Sequence, residues 1–570
     1  MGNPARAFAA VAPSLTWQTE GSLAGVCPVC ATVGEQTYRL DLADGDTHSA
    51  GLVCHACGSL FFQPPLTDGD NAYTELAADD PLFWRHYLEV GAGIHEICWP
   101  LTVVDVPANI SLLDVGCGAG FGADYWRRLG RGESLGLEVA AYGRLGQALL
   151  GQPIRAELLQ PGQPLRAEGF GVVFASEVLE HVPDPAAFLA VLREQLAPGG
   201  LLVLTTPDAA FIQPEHDPAT VLAQLSPGFH RFLLTADTLH RLLQQTGLAH
   251  VTVLARGERL FAWASDTPLP QDLPARLEQA VGHSVEPAYL GALWADLNRQ
   301  PPAVPELRRY LAAIAYRLFK ARVNAGQWTG LDELLTAITA TLAGDYGVPD
   351  ATPEALTALA ASLPATLPAE RPIWAGLPFY LPQFCYYRGM AARLRDNDPA
   401  AAVSWFAAAI ALGERFLEHG RAVQLDLQAL LPNGRREQAL AYLAAGEQQA
   451  AWTLLQALSG DAGLPLSWRR TLLLDAFLEA ALRGLFPLAE VALGALPALY
   501  AGAAFDLPLP TAIRYCHALG VLEANHRQRP EAATAAFRQA QALLANLPVA
   551  EREREPFAGI ARGVQDWLGQ

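Results

Sequence analysis

The sequence predicts an α/β domain with a mostly parallel sheet, preceded by a small cysteine-rich module and followed by an all-α region. Between about residues 109 and 265, short apolar runs alternate with amphipathic stretches, as strands and helices do in such domains. Two C-x-x-C pairs precede this stretch, and from Glu306 onward helical periodicity and alanine dominate. The length of 570 residues leaves room for about three or four domains.

The first unit of the α/β domain is a strand, a glycine-rich turn and a helix. Ile110–Val115 is an apolar run that suits a buried strand, and the apolar residues of Phe121–Leu129 fit an amphipathic helix. Gly116, Gly118 and Gly120 lie between them. Because glycines permit a tight turn and let the backbone approach a ligand closely, the unit predicts a nucleotide-binding site.

Further strand and helix patterns follow this unit in the order expected of an α/β domain. A second strand ends at Glu138, 22 positions after Gly116, the offset at which an acidic residue reaches a ribose diol in such folds. The remaining predicted elements are strands Pro153–Glu157, Phe170–Ala175 and Leu201–Thr206, helix Pro185–Leu196, a helix Ala236–Gln245 capped by Thr235, and a closing antiparallel pair, His250–Ala255 with Leu260–Ala264.

Four motifs give the domain its family likeness. "LLDVGCGAGFG", "GLEVA", "FASEVLEHVPDP" and "LAPGGLLVLTTPD" resemble, in order and spacing, the class I S-adenosylmethionine-dependent methyltransferases, nearest to the branch with quinone-biosynthesis and sugar-modifying enzymes. An NAD site is the other reading of the glycine turn. However, dinucleotide enzymes usually carry G-x-G-x-x-G, and the "EVLEHV" and "PGG" blocks have no role in a dehydrogenase. The resemblance implies a Rossmann-like methyltransferase domain with a mostly parallel, seven-stranded sheet.

The resemblance also assigns the residues that bind S-adenosylmethionine. Asp114 and the backbone of the glycine turn are expected at the methionine part of the cofactor, and Glu138 at the ribose hydroxyls. Glu157 is the candidate near the adenine amino group, while Ser176 and Glu177 border the pocket shared by cofactor and acceptor. The cofactor-binding set is therefore Asp114, Gly116, Gly118, Gly120, Glu138, Glu157, Ser176 and Glu177.

Three histidines are candidates for removing a proton from the acceptor. His181 belongs to the "LEHV" block and either contacts the acceptor or pins the helix after it. His230 lies in a segment that resembles the family's histidine–phenylalanine–helix-cap block, and His216 lies on a loop. An imidazole suits proton removal near neutral pH. For each histidine a purely structural role is the competing interpretation.

The cysteines Cys27, Cys30, Cys54 and Cys57 form two C-x-x-C pairs. Two such pairs flanking a strand-rich segment are typical of a tetrahedral Zn²⁺ site with four thiolate ligands, which is structural because no coordination position stays open. Disulfides and chance are the alternatives, and a reducing compartment disfavours disulfides. A similar cysteine ribbon begins many small-molecule methyltransferases of bacterial glycan and secondary-metabolite clusters, which extends the resemblance back to about Val26.

The C-terminal half contains an internal repeat. Its residues Gly389, Pro399, Ala402, Phe406 and Ala409 match Gly520, Pro530, Ala533, Phe537 and Ala540 in type and spacing, and Ala450, Leu454 and Ala457 look like a degenerate third copy. The pattern resembles tetratricopeptide repeats, with a generic helical bundle as the alternative. Stacked helix pairs would present a concave surface to a protein partner or a glycan chain.

These patterns predict an order of domains and set limits on partners. The net charge of −19, from 39 basic and 58 acidic residues, disfavours broad nucleic-acid binding. The sequence suggests neither a membrane span nor a secretory signal, so we expect a bacterial cytoplasmic protein without a membrane partner. The predicted segments are an N-terminal tail (1–20), a zinc ribbon (21–66), a helical cover segment (67–108), the methyltransferase domain (109–265), a linker (266–304) and a helical, tetratricopeptide-like domain (305–570).

The sequence supports two hypotheses from different classes. The first is an enzyme that transfers a methyl group from S-adenosylmethionine to a small-molecule acceptor, with a sugar or glycan-precursor hydroxyl favoured and a protein or quinone-like acceptor as the alternative. The second is a helical-repeat scaffold whose methyltransferase domain binds cofactor without catalysis. The complete glycine turn and Glu138 favour the enzyme.

Overall fold

The computed structural model describes residues 14–44, 47–65, 94–216, 218–227, 229–282, 285–302, 305–363, 376–418, 421–499 and 507–569. Most of the predicted N-terminal tail and of the cover segment 67–108 lies outside these residues. The chain divides into two compact units, residues 1–384 with 412–429, and residues 385–411 with 430–570. The predicted helical region 305–570 is therefore shared between the two units.

The N-terminal and α/β parts contain all thirteen strands of the described residues, joined by helices and short turns. The strands are β1 (Ser14–Trp17), β2 (Ser22–Val26), β3 (Val33–Asp44), β4 (Thr47–Val53), β5 (Leu60–Gln63), β6 (Leu112–Val115), β7 (Ser134–Leu137), β8 (Ile154–Arg155), β9 (Phe170–Ser176), β10 (Leu196–Pro207), β11 (Phe232–Leu233), β12 (His250–Arg256) and β13 (Arg259–Ser265). The helices are α1 (Ile94–Thr102), α2 (Phe121–Arg128), α3 (Ala141–Leu150), α4 (Pro185–Glu194), α5 (Pro218–Leu225) and α6 (Ala236–Gln245), with 3-10 turns at Leu179–His181 and Ala209–Phe211.

The larger sheet confirms the predicted fold class. Its seven strands run in the order β12-β13-β10-β9-β6-β7-β8. All neighbours from β10 to β8 are parallel, and β13 is antiparallel to both β10 and β12. Every residue of β6 is buried, as expected for a central strand covered on both faces. Because the order reverses beside β6, the turn after this strand lies at the topological switch point, where open α/β sheets bind ligands.

The smaller sheet joins the N-terminal module to the α/β domain. Strands β1, β3, β4 and β5 form an antiparallel row, with β2 also paired to β3. The row is extended by β11, which pairs Phe232 with Phe61 and Leu233 with Leu60. Since β11 belongs to the chain between α5 and α6, the cysteine module and the α/β domain share one sheet.

All described elements after β13 are helical. They are α7 (Leu273–Gly282), α8 (Val285–Arg299), α9 (Pro305–Asn324), α10 (Leu331–Asp345), α11 (Pro353–Ser362), α12 (Leu381–Leu394), α13 (Pro399–Leu417), α14 (Arg421–Ala445), α15 (Gln448–Gly460), α16 (Leu466–Leu482), α17 (Phe486–Leu499), α18 (Leu509–Asn525), α19 (Pro530–Leu544), α20 (Val549–Arg552) and α21 (Phe557–Leu568). The segment 266–304, predicted as a linker with short helices, contains α7 and α8.

The repeated glycine–phenylalanine pattern has a packing explanation. A Cβ atom added at Gly389 would lie 2.7 Å from the ring of Phe406, and one at Gly520 would lie 2.5 Å from the ring of Phe537. In both copies a glycine on one helix therefore makes room for a phenylalanine on the next. The predicted third copy is wrong by one residue, because α15 buries Ala451, Leu455 and Leu458 instead of the neighbours that the pattern selected.

Helix α13 differs from the expectation that the chain lacks a membrane-spanning segment. It has 19 residues, and by length and composition it could cross a bilayer. However, 44% of its most apolar window is buried within the protein. Ala402 and Phe406 are fully buried, so packing within the protein explains part of its apolar character.

Candidate functional site

The turn between β6 and α2 has the shape of a ligand cradle. Gly116, Gly118 and Gly120 have φ angles of 67°, 56° and 81°, in the left-handed region that disfavours side chains. A Cβ atom at Gly116 would lie 2.6 Å from Val178 Cγ2, and one at Gly120 would lie 2.9 Å from Ile154 Cδ1. The turn therefore needs glycine both for its conformation and for space.

Glu138 braces this turn from the end of β7. Its Oε2 accepts a hydrogen bond from the Gly118 N–H at 3.0 Å, and its Oε1 accepts one from the Ala140 N–H at 2.8 Å. A carboxylate can accept about four hydrogen bonds. The same group can thus hold the turn and accept from a pair of ligand hydroxyls, which fits the ribose role that the resemblance implies.

Asp114 lies beneath the first turn of α2. Its Oδ2 accepts a hydrogen bond from the Ala123 N–H at 3.1 Å, and a Cβ atom at Gly122 would come within 2.4 Å of the same oxygen. Burial raises the pKa of Asp114 to about 7, and the charge of Glu138 adds to the rise. Asp114, at the end of β6, therefore fixes the first turn of α2 through this hydrogen bond. Its contact with the methionine part of a cofactor stays a prediction.

Ser176 and Glu177 lie at the carboxyl end of β9, as predicted. The Oγ of Ser176 is 2.7 Å from Oγ1 of Thr205, and the Thr205 hydroxyl donates a hydrogen bond to Oε1 of Glu177 at 3.1 Å. Glu177 has a φ of 54°, a strained conformation for a non-glycine residue that is frequent at functional sites. Burial raises the pKa of Glu177 to about 8, although the charge of Arg259 opposes the rise.

Sequence reasoning missed two residues that contact this group. The Nε of Arg259 lies 3.2 Å from Oε2 of Glu177 and 3.3 Å from Oε1 of Glu96. Glu96 is on α1, within the described part of the cover segment, and is buried. A buried charge on an otherwise apolar helix is the signal that could have identified Glu96, because such charges are paired in folded proteins.

The structure brings His181 and His230 together and adds Glu180, which sequence reasoning also missed. The two imidazole rings have centroids 4.7 Å apart, and each Nε2 lies 3.8 Å from Oε1 of Glu180. Each Nδ1 faces a backbone carbonyl, Phe229 O at 3.0 Å and Gln224 O at 2.7 Å. The three ligand-type atoms lie within 4.8 Å of one another, close enough to share a proton or hold a metal ion.

Burial controls the charge of the two rings. It lowers the pKa of His181 to about 4 and lowers that of His230 well below its ordinary value. Both imidazoles are therefore neutral at pH 7, which agrees with Nδ1–H groups that donate to carbonyls. Glu180 is held from the other side by the Thr206 hydroxyl, which donates to its Oε2 at 2.9 Å.

Two further predicted site residues have different surroundings. His216 stacks on Phe211 with centroids 4.0 Å apart, and its Nδ1 lies 2.6 Å from the carbonyl of that residue. Glu157 is exposed two residues beyond β8, where its Oε1 lies 3.4 Å from Nη1 of Arg155. Neither residue has a described contact with the glycine turn or the histidine pair, so their predicted roles remain predictions.

The four N-terminal cysteines converge on one point. The Sγ atoms of Cys27 and Cys57 are 3.7 Å apart, those of Cys30 and Cys54 are 3.6 Å apart, and all four lie within 4.8 Å of one another. Tetrahedral Zn²⁺ with Zn–S bonds of about 2.3 Å requires sulfur atoms about 3.8 Å apart. The cluster therefore fits a four-thiolate zinc site.

The cysteine cluster is attached to the segment that carries His230. Arg241 and Thr238, both on α6, donate hydrogen bonds to the carbonyl of Cys57. Strand β11 pairs with β5 and begins two residues after His230. The cysteine module thus contacts the chain after His230 at two places, strand β11 and helix α6.

Comparison with known proteins agrees with this geometry. The sequence model of the family described as "Methyltransferase domain" matches residues 85–253. The ubiquinone biosynthesis O-methyltransferase of Cereibacter sphaeroides is 33% identical over 154 residues, which are 25% of this chain and 60% of that protein. The tRNA U34 carboxymethyltransferase of Klebsiella pneumoniae is 34% identical over 158 residues, 25% of this chain and 45% of that protein.

Two solved structures of methyltransferases resemble about a third of the chain at low sequence identity. An O-methyltransferase family protein from Burkholderia thailandensis is 15% identical, with a TM-score of 0.28, over 32% of this chain and 58% of the other. An S-adenosylmethionine-dependent methyltransferase from Mesorhizobium loti is 19% identical, with a TM-score of 0.25, over 31% of this chain and 99% of the other. The chain spans about 60% of the length of the first curated relatives that it matches.

Proposed function

We propose that the chain transfers a methyl group from S-adenosylmethionine to an oxygen of a small acceptor, because its residues 85–253 match a methyltransferase domain. The single observation that supports the proposal most is the hydrogen bond from the Gly118 N–H to Glu138, which joins the residue predicted to bind the ribose to the glycine turn predicted to bind the cofactor. When bound, S-adenosylmethionine supplies an activated methyl group, so the protein needs only to position donor and acceptor and to accept a proton.

The residues of the cradle divide the task of binding. The backbone of Gly116, Gly118 and Gly120 leaves space for close approach, and Glu138 offers its carboxylate to the ribose hydroxyls. Asp114 fixes the start of α2 from below. Glu157 is proposed to lie near the adenine, because its side chain is exposed and accessible to a ligand.

The acceptor is proposed to lie at the carboxyl ends of β9 and β10, beside Glu177 and His181. A hydroxyl acceptor must lose a proton, and a base works best with a pKa near the working pH. By this criterion Glu177, with a pKa of about 8, suits the task better than His181, with a pKa of about 4. Both side chains are partly exposed, whereas His230 is buried.

The proposed acceptor class draws on the sequence, the relatives and the net charge of the chain. The sequence favours a sugar or glycan hydroxyl. The names of the two relatives given above instead refer to ubiquinone biosynthesis and to tRNA. The net charge of −19 disfavours a nucleic acid. We therefore propose a hydroxyl on a small molecule, either aromatic or carbohydrate, in the cytoplasm, where a four-thiolate zinc site is stable.

The experiment is a two-stage assay of the full chain. Isothermal titration first measures S-adenosylmethionine binding, and release of S-adenosylhomocysteine is then followed with catechols, nucleotide sugars and amines as acceptors. Turnover with a catechol but not with sugars would select the aromatic class, and the reverse would select carbohydrates. Cofactor binding without turnover on any acceptor would favour the scaffold, and an absence of binding would refute the proposal.

Individual side chains can be separated in the same assay. Three variants each remove one candidate group near the proposed acceptor site: Glu177→Gln, His181→Asn and His230→Asn. The control is Glu333→Ala, at an exposed position on α10. If Glu177 accepts the proton, its variant loses kcat by about 100-fold or more while cofactor affinity persists. A loss confined to the histidine variants would assign the role to them.

Zinc is proposed as a structural cofactor of the cysteine cluster. The four sulfur atoms fit its tetrahedral geometry, and their module holds β11 in place. Elemental analysis of the purified full chain should find about one zinc per chain, and less than about half an equivalent would count against the site.

A further inference from the structure

Helices beyond the methyltransferase match contact the helix that follows the glycine turn. The family match ends at residue 253, and α8 begins at Val285. The hydroxyl of Tyr289, on α8, donates a hydrogen bond to Oδ2 of Asp124 at 3.0 Å and lies 3.4 Å from the carbonyl of Phe121. Its ring meets Tyr125 edge to face, with centroids 5.1 Å apart. Tyr289 itself is buried, so these contacts are shielded from water.

Asp124 is the centre of a buried network at the start of α2. Besides Tyr289, it accepts hydrogen bonds from Arg128 Nε at 2.7 Å, Arg127 Nη2 at 3.2 Å and Gln152 Nε2 at 3.1 Å. Gln152 also borders the turn, because its Cβ lies 3.8 Å from the position of a Cβ on Gly120. The Tyr289 hydroxyl therefore links α8 to α2 and, through Asp124, to Gln152 beside the glycine turn.

A second appended helix contacts the same element. The guanidinium of Arg317, on α9, lies 5.6 Å from the ring centroid of Phe121, the first residue of α2. Arg128, near the other end of α2, also pairs with Asp296 of α8. The two appended helices thus contact α2 at its beginning, its middle and its end.

The position of α2 matters because its N-terminus is part of the ligand cradle. The first N–H groups of a helix and its positive dipole end point toward a ligand bound at the preceding turn. The hydrogen bond between Asp114 and the Ala123 N–H anchors that first turn from the strand side. Tyr289, on the appended helix α8, donates to the side chain of the next residue, Asp124.

We propose that Tyr289 is a positioning residue of the methyl-donor site, and that α8 and α9 are integral parts of the cofactor-binding unit. The hydroxyl of Tyr289 holds Asp124, and Asp124 holds α2 against the turn. The inference rests on the proposed function in so far as the ligand is S-adenosylmethionine. Buried hydrogen bonds to a carboxylate are strong enough to serve this purpose, and small displacements of a binding element reduce affinity markedly.

The test is Tyr289→Phe in the full chain, which keeps the ring and removes only the hydroxyl. We expect the Kd for S-adenosylmethionine, measured by isothermal titration, to rise at least fivefold. Tyr346→Phe is the matched control, because it removes a hydroxyl from another mostly buried tyrosine of the appended helices, after α10. A Tyr289→Phe variant that binds the cofactor as tightly as the wild type would overturn the inference.

A double-mutant cycle and an exchange measurement separate positioning from general destabilisation. If the hydroxyl acts through Asp124, adding Tyr289→Phe to Asp124→Asn should weaken binding no further, and additive losses would contradict the pathway. In the protein without ligand, Tyr289→Phe should speed amide hydrogen exchange at Ala123 and Asp124 relative to Tyr346→Phe. If the wild type binds no S-adenosylmethionine, the proposed function fails, and exchange alone decides: unchanged rates at these amides overturn the role of Tyr289.

Discussion

Replacing Glu138 by alanine tests the cofactor cradle most directly. The change removes the acceptor of two backbone hydrogen bonds, from Gly118 N at 3.0 Å and Ala140 N at 2.8 Å. Hydrogen bonds to a charged group contribute about 1.5 to 3 kcal/mol each, and solvent partly replaces them where water can enter the turn. We therefore expect the free energy of unfolding to fall by about 2 to 4 kcal/mol.

The effect on cofactor affinity has a separate origin. In the proposed complex the carboxylate also accepts from the ribose hydroxyls, so its loss removes about 2 to 3 kcal/mol of binding free energy. That loss corresponds to an increase of roughly 30- to 150-fold in the Kd for S-adenosylmethionine. Glu138→Gln should lie between wild type and alanine, because its amide keeps one acceptor oxygen but turns a donor toward the second N–H.

Isothermal titration at several protein concentrations measures the affinity, and urea denaturation measures the stability of the same samples. Glu333→Ala, on the exposed face of α10, controls for the loss of one negative charge. A folded Glu138→Ala protein whose Kd stays within twofold of the wild-type value would refute the ribose role. An affinity loss in the Glu333 variant as well would point to net charge instead of the brace.

Three other perturbations test the site and one tests the repeats. Cys54→Ser should lower the zinc content from about one to near zero and reduce thermal stability, because β5 of the cysteine module pairs with β11 of the α/β domain. Full zinc retention by elemental analysis would contradict the four-thiolate site. Asp114→Asn should gain free energy of unfolding relative to wild type as pH rises from 4 to 8, because the wild-type carboxyl has a pKa of about 7 when folded and 3.8 when unfolded, so its ionisation favours the unfolded chain. The difference should reach on the order of 4 kcal/mol at pH 8 in urea denaturation curves. Parallel pH profiles of the two proteins would contradict this expectation. Gly116→Ala should abolish cofactor binding, because its Cβ atom would lie 2.6 Å from Val178. Gly130→Ala is the control for backbone strain alone, because Gly130 has the same φ of 67° but no atom within 4 Å of an added Cβ. Equal titration results for the two variants would show that the clash with Val178 is irrelevant. Gly520→Ala should destabilise the helical unit by about 1 to 3 kcal/mol, because the added Cβ would clash with the ring of Phe537. Gly494→Ala, on α17 with no atom within 4 Å of the added Cβ, should stabilise the unit by about 0.5 to 1 kcal/mol. Thermal melts that rank the two variants the other way would contradict the packing explanation.

Local signals in the sequence located the cradle because its parts are close in sequence. The strand before Gly116, the turn and the start of α2 follow one another within about a dozen residues, and each has a period or a residue type that the backbone requires. Glu138 was found because a fixed offset in the βαβ unit puts the end of the second strand beside the first turn. The cysteine pairs were recognised for a similar reason, since each knuckle is a short local turn.

The residues at the carboxyl ends of β9 and β10, where the acceptor is proposed to bind, could not be grouped from local sequence patterns. Glu180 and His230 are 50 positions apart, and Arg259 and Glu96 come from different elements, so no spacing announces that they meet. The third repeat was placed one residue out of register, because alanine-rich helices offer several nearly equivalent apolar stripes. Only packing against neighbouring helices chooses among these stripes.

The sequence by itself determined the succession of strands and helices in the α/β domain, the glycine turn with the carboxylate of Glu138, and the four cysteines. Tertiary structure alone decided that the cysteine module shares a sheet with the strand after His230, and that Tyr289 reaches Asp124 from a helix outside the family match. The physical reason is the range of the forces involved. Turn conformation and hydrophobic period act between neighbours in the chain, whereas buried hydrogen bonds and ion pairs form only after folding has excluded water around distant residues.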